Sequence, residues 1–171
     1  DGPAENYTQQ ILAILKAEDV KATFFCIGNR IAGNEAILKQ VQDQGHIIGN
    51  HSYSHHFWFD MYSAKKMQDD LEQMDAEMER VTGLKPKLFR PPYGVTNPNL
   101  AKAIRNGGHT PVGWSVRSLD TVAKDEQQLL NKINAGIKPG AVFLFHDTCK
   151  ITLNVLPKFI QEVKNRGYNI I

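Results

Sequence analysis

Ala141-Val142-Phe143-Leu144-Phe145-His146 sets five apolar residues in a row and ends them on an imidazole. A run so short and so uniformly apolar suits a strand covered on both faces. Similar junctures recur along the chain. Ala22–Ile27 is a short apolar run closed by Gly28, and His46–Gly49 is another, with Asn50 and then His51 after it. Leu88-Phe89 leads into Arg90-Pro91-Pro92, where two prolines must end any strand. Thr110–Trp114 reads as a strand with the indole at its end, and Tyr168–Ile171 as the start of a terminal strand.

Helical periodicity fills the intervals. Residues 5–17 and 34–43 carry one apolar face each, and 98–106 and 125–135 read as shorter helices. The clearest helix spans 63–82, where Met67, Leu71, Met74, Met78 and Val81 recur at steps of four and three before Gly83. A methionine stripe at that spacing is core packing. Leu153, Leu156, Phe159, Ile160 and Val163 define the last helix.

Such alternation of strand and helix calls for parallel strands joined by helical crossovers. An open doubly wound sheet and a β/α barrel both satisfy it. Placement of the polar residues favours the barrel: His51, Arg90, Trp114 and His146 each fall just beyond the carboxyl end of an expected strand. In a barrel, side chains at those ends converge on one site.

The bulk numbers narrow the class. At 171 residues, with 42% hydrophobic and 22% charged residues, the chain suits one globular domain spanning 1–171. A formal net charge of +2, with 20 scattered basic residues, argues against nucleic acid and against a membrane surface. No apolar run reaches the ~18 residues of a membrane span. Cys26 and Cys149 stand far apart, reading as two buried free thiols, with a single disulfide open in an oxidising compartment.

His51-Ser52-Tyr53-Ser54-His55 spaces two imidazoles four residues apart, so one helical turn would aim both at one point. Zinc sites use such pairs, with a carboxylate completing the set and a position left for water. The alternative is a His-rich surface loop, since His56 follows directly. Asp1-Gly2-Pro3 offers a carboxylate, although in isolation it is a turn. Arg90 is a cation on a rigid loop, suited to holding a carboxylate. His56-Phe57-Trp58-Phe59 is the one aromatic cluster able to stack on a sugar, with core packing at least as reasonable a role.

Taken in order, Asp-Gly-Pro, Ala-Thr-Phe-Phe-x-x-Gly, His-Ser-x-x-His, Arg-Pro-Pro-Tyr-Gly and Leu-x-His span residues 1 to 146. The set resembles the polysaccharide deacetylase family, also called the NodB-homology domain or carbohydrate esterase family 4. The resemblance implies a distorted, incomplete (β/α) barrel. It implies that Asp1, His51 and His55 bind a divalent metal, usually zinc, with cobalt or similar ions open. Arg90 would orient a catalytic carboxylate, Tyr93 would lend its backbone N–H to an oxyanion hole, and His146 would be the general acid. Leu144 would line the acetyl pocket, Trp114 would form a pocket wall, and Asp120 would be the acidic residue near the acid histidine.

Two departures stand out. The family's first motif carries two aspartates before Gly-Pro, a base and then a metal ligand, and Asp1 matches the second. The base, with the first barrel strand, is expected upstream, because a barrel lacking a strand would expose two unpaired edges. The alternative is a carbohydrate-binding domain that has lost its base. Arg117 stands where many relatives have an aspartate that tunes the acid, so Asp120 is expected to take that part. The implied reaction is removal of N-acetyl groups from N-acetylglucosamine-containing glycans, of peptidoglycan or chito-oligosaccharide type, in an extracytoplasmic setting. Hydrolysis of non-sugar amides or cyclic imides is the competing chemistry.

Overall fold

A computed structural model describes residues 1–171. The chain falls into two compact units, Asp1–Pro3 with Thr23–Gly113, and Ala4–Ala22 with Trp114–Ile171.

The first unit is built on four parallel strands, β1 (Thr23–Cys26), β2 (Ile47–Asn50), β3 (Leu88–Phe89) and β4 (Thr110–Pro111), paired in the order 1-2-3-4. Helices α2 (Glu35–Asp43), α3 (Ala64–Thr82) and α4 (Pro98–Gly107) make the crossovers. A strictly sequential order has no switch point, whereas a doubly wound sheet reverses direction at one. Within this unit the winding is therefore the barrel type. Helices α3 and α4 start where their sequence places a cap. The Ser63 hydroxyl accepts the Lys66 N–H ahead of α3, and the Asn97 carbonyl oxygen accepts the Leu100 N–H ahead of α4, whose first residue is Pro98. Gly83 ends α3 at φ 74°, a conformation that other residues reach at a cost. The inner stripe of α3 is Met67, Leu71, Met74 and Met78, all buried; Val81 is only half-buried, and Thr82 closes the stripe. Phe59, Met67, Leu71, Phe89, Leu100, Ala103 and Ile104 pack together as a core of this unit.

The second unit holds α1 (Thr8–Ala17), a parallel pair of strands β5 (Val116–Arg117) and β6 (Phe143–Leu144), α5 (Glu126–Ala135) and α6 (Lys150–Asn165). Asp125 caps α5 through the Gln128 N–H. Helix α6 buries Thr152, Val155, Leu156, Phe159, Ile160 and Val163.

Several expectations need correction. The strand at 110–114 stops at Pro111, which has no N–H to give the ladder, so Trp114 lies beyond it and outside any strand. Ala141–Phe145 contracts to Phe143–Leu144. Tyr168–Ile171 forms no strand; the Tyr168 N–H bonds back to the Val163 carbonyl, extending the end of α6 instead. Strand β5 was not expected at all. Coverage of both faces also holds only in part, since β4 is exposed while β1 and β2 are buried over their last three residues. Neither Cys26, which is buried, nor Cys149, which is half-buried, is joined in a disulfide.

Candidate metal centre and acid–base pair

Strand β2 delivers His51 one residue past its end. The His51 N–H bonds to the Cys26 carbonyl, and the Arg90 N–H bonds to the Asn50 carbonyl, so the ladder continues just beyond the strands. The His51 ring is 6% exposed, and its Nδ1 lies 2.6 Å from the Arg90 carbonyl oxygen. A carbonyl only accepts, so Nδ1 carries a proton, and in the neutral ring Nε2 is left with its lone pair. That lone pair faces the Asp1 carboxylate, 3.2 Å from Oδ1. Two acceptors held this close need a positive charge between or upon them.

His55 supplies a third donor. One ligand atom from each of Asp1, His51 and His55 can be chosen so that all lie within 4.8 Å of one another. Burial, with the neighbouring His51 adding to it, pushes the His55 imidazole down to about 4, so at neutral pH it is an uncharged candidate ligand. Two imidazoles with a carboxylate form a donor set suited to a borderline cation such as zinc. The second ring nitrogen of His51, fixed by a backbone carbonyl, is the usual outer support of such a ligand. The residues fit a divalent cation.

The two histidines converge, but not by a helical turn. Residues 51–55 form an irregular loop, with Ser52 at φ 67° and His55 at φ 45°. Left-handed backbone at non-glycine residues requires outside support, and the loop has it. The Ser52 hydroxyl accepts the His55 N–H at 2.9 Å, and the Asn50 side-chain oxygen accepts the Ser52 N–H at 2.7 Å. Asp70 of α3 accepts the Tyr53 N–H at 2.7 Å and the Ser54 N–H at 3.2 Å. Asn50 in turn donates to Asp75 at 2.8 Å, which also holds the buried His109 ring at 3.1 Å. Beneath the loop, the Gly28 N–H bonds to the Ser52 carbonyl, and a Cβ on Gly28 would meet the Tyr53 ring at 2.3 Å. Sequence reading missed Asn50, Asp70 and Asp75. Acidic residues on a helix normally read as its solvated face, and nothing in the sequence says that these two turn inward to hold a loop.

Asp1 is placed by the edge of β1. Its amino group donates to the Phe25 carbonyl at 3.2 Å, and the Ile27 N–H donates to the Gly2 carbonyl at 2.9 Å. Arg30 donates to the Asp1 carbonyl at 2.9 Å.

Arg90 is anchored rather than loose. Its Nε donates to the Val112 carbonyl at 3.1 Å, its Nη2 to the Gly113 carbonyl at 3.0 Å, and the guanidinium lies 4.2 Å from the centre of the Phe25 ring. Burial lowers the guanidinium to about 10, which leaves it cationic at neutral pH. Tyr93 follows at φ 56°, with its ring 4.8 Å from that of His55.

In the second unit, Asp120 and His146 form a pair of their own. Asp120 Oδ1 lies 2.7 Å from His146 Nδ1, and Oδ2 accepts both the His146 N–H at 2.7 Å and the Thr152 hydroxyl at 2.6 Å. The carboxylate is wholly buried. Burial alone would raise its pKa, but hydrogen bonds from the His146 ring, the Thr152 hydroxyl and the His146 amide outweigh that and hold it below the ordinary carboxylate value. A carboxylate fixing Nδ1 leaves Nε2 as the atom for proton transfer. Arg117 is exposed, and Asp120 occupies the place beside the histidine that the sequence assigned to it. Leu144, the last residue of β6, is buried, and Trp114 is half-buried.

Residues 1–112 match the family model described as polysaccharide deacetylase. The chain belongs to that family. It is 32% identical over 172 residues to the peptidoglycan-N-acetylmuramic acid deacetylase PdaA of Bacillus subtilis, covering 98% of this chain and 65% of that protein. It is 32% identical over 171 residues to the peptidoglycan-N-acetylglucosamine deacetylase PgdA of Listeria monocytogenes, covering 100% of this chain and 36% of that one. Among solved structures it superposes on a carbohydrate esterase family 4 pseudoenzyme from Bacillus anthracis with a TM-score of 0.90 at 31% identity, covering 96% of this chain and 58% of that chain. The polysaccharide deacetylase chain described here thus spans about two thirds of one relative and about a third of another. Membership brings an α/β fold with parallel strands and dependence on a divalent metal, for which Asp1, His51 and His55 are the candidate ligands. A family that includes a pseudoenzyme also means that fold alone does not decide activity; the donor residues must.

Proposed function

We propose that the chain is the metal-dependent hydrolytic domain of an enzyme that removes N-acetyl groups from N-acetylglucosamine-containing glycans of peptidoglycan or chito-oligosaccharide type. The observation that carries the reading is the His51 Nε2 lone pair turned onto the Asp1 carboxylate at 3.2 Å, with His55 beside it. A cation held by all three groups at once accounts for their convergence. We propose zinc, with cobalt as a substitute, because imidazole and carboxylate together suit either.

A divalent ion bound there supplies Lewis acidity, polarising an acetamide carbonyl and making water acidic enough to attack it. The remaining work falls to the protein. Arg90 holds its positive charge on a loop pinned to two carbonyls and can steer a carboxylate, the part the family gives to an aspartate preceding the one matched by Asp1. Tyr93 presents its backbone N–H as a donor to developing oxyanion charge, a kind of contact worth a few kcal/mol. His146, its Nδ1 held by Asp120, gives a proton from Nε2 to the departing amine. Leu144 accommodates the acetyl methyl group, and Trp114 contributes a wall. On this reading the enzyme works outside the cytoplasm, where such glycans lie. No helix is long and apolar enough to cross a membrane.

The test is acetate release from N-acetylglucosamine oligomers by the complete gene product, with and without a chelator, beside a panel of small non-sugar amides and cyclic imides. Chelator-sensitive release from the oligomers supports the reading. Turnover of the amides alone, or none at all with metal bound, rejects it.

A further inference from the structure

We propose that Phe57, Trp58 and Tyr93 form a sugar-stacking platform that leads away from His55 and carries the sugar rings next to the one being deacetylated. The inference rests on the functional reading above and extends it to recognition of more than one sugar unit.

The three side chains are 67%, 58% and 52% exposed. They are also in series. The Tyr93 ring lies 4.8 Å from that of His55, the Phe57 ring 6.1 Å from Tyr93, and the Trp58 ring 4.8 Å from Phe57. Core formation does not explain them. Phe59, next in sequence, is 2% exposed and serves as the segment's anchor beside Met67, Leu71 and Phe89. Contiguous aromatics left in water beside a reactive centre mark a binding surface.

The platform is held still. A 3₁₀ turn at Phe59–Met61 follows it, the Phe59 N–H bonds to the His56 carbonyl, and Asn97 donates to the Asp60 carbonyl at 2.8 Å. A backbone fixed before the ligand arrives loses little freedom on binding it. Their position selects the occupant. The series begins at a proposed metal ligand, so whatever lies on it is continuous with the molecule under attack. Pyranose rings with equatorial substituents present C–H faces that rest flat on aromatic rings. A protein partner fits less well: three half-exposed rings offer roughly 400 Å², about half of what each side of a stable interface needs.

The experiment measures binding by calorimetry, in chelator to stop turnover, of N-acetylglucosamine, its tetramer and soluble glycan strands from peptidoglycan. The proteins are the complete chain and its Trp58→Ala, Trp58→Phe and Phe57→Ala/Trp58→Ala variants. The wild type should bind the tetramer or the strands at least about tenfold more tightly than the monomer. The double variant should lose most of that advantage, and Trp58→Phe should keep most of it. In turnover assays the double variant should raise KM for the preferred oligomer while kcat stays within about twofold. Equal oligomer affinity in wild type and double variant, with acetate still released, overturns the platform and leaves the functional reading standing. A concentration-dependent dimer that Trp58→Ala abolishes overturns it in favour of contact between copies. Absence of both binding and release from the complete gene product removes the functional reading, and the platform with it.

Discussion

Asp120 holds His146 twice, through the ring Nδ1 at 2.7 Å and through the main-chain N–H at 2.7 Å. One buried carboxylate therefore fixes both the tautomer of the imidazole and the backbone that carries it. Asp120→Ala should reduce kcat by about 10²-fold or more, in line with the usual worth of a positioned acid, while metal content stays at the wild-type level. The same change leaves the Thr152 hydroxyl without its acceptor and should lower stability by about 1–3 kcal/mol. Parallel turnover, elemental analysis and thermal melts check all three; a variant that turns over like wild type dissociates Asp120 from the acid.

Acid titration tests the same group differently. Asp120 is held below its ordinary pKa in the folded chain. A depressed carboxylate stabilises the fold fully above its unfolded value, about 3.9, and the contribution drains away as pH falls through the folded value. The stability gap between wild type and Asp120→Asn should therefore be constant from pH 7 down to about 4 and narrow below that. Denaturant melts at a series of pH values read the gap; one that widens in acid contradicts the sign.

Metal should stabilise as well as activate. Titrating zinc into the chelated protein at about 100 times its dissociation constant should add about 2.7 kcal/mol to unfolding. His51→Ala and His55→Ala should abolish both this increment and the bound metal. A full increment in either variant removes that residue from the ligand set.

Asp70 touches no proposed ligand side chain, yet it accepts the Tyr53 and Ser54 N–H groups in the loop between two of them. Asp70→Ala should weaken metal binding by about 10–100-fold, the usual effect of removing an outer support. Asp70→Asn, which keeps an acceptor oxygen, should recover much of it. Competition with a fluorescent chelator gives the affinities, and identical values for all three proteins end the argument for this residue.

Local chemistry decided what could be read in the chain before its structure was known. Helices α2, α3 and α4 carry their own period and stop residues, and α3 and α4 their own caps, so their bounds were legible to within a residue or two. Short strands were not: Val116–Arg117 is a pair without pattern, and a ladder partner 27 residues away, Phe143, makes it a strand. The four-residue spacing of His51 and His55 pointed to convergence but suggested the wrong backbone, because left-handed Ser52 and His55 are set by Asn50, Asp70 and Gly28 from outside the motif. Phe57 and Trp58 were ambiguous for a related reason. An aromatic run announces burial, and only the turn at Phe59 determines which ring goes in.

Strands β2 and β3 are joined as a ladder at a single residue pair, Asn50 with Phe89, and the next rung is the His51 ring on the Arg90 carbonyl. Fastening of the sheet and the proposed seating of the cation thus share one imidazole. Amide exchange around His51 and Arg90 should quicken first when the ion is withdrawn, so that loss of the cofactor registers as a loosened seam in the scaffold well before the molecule as a whole gives way.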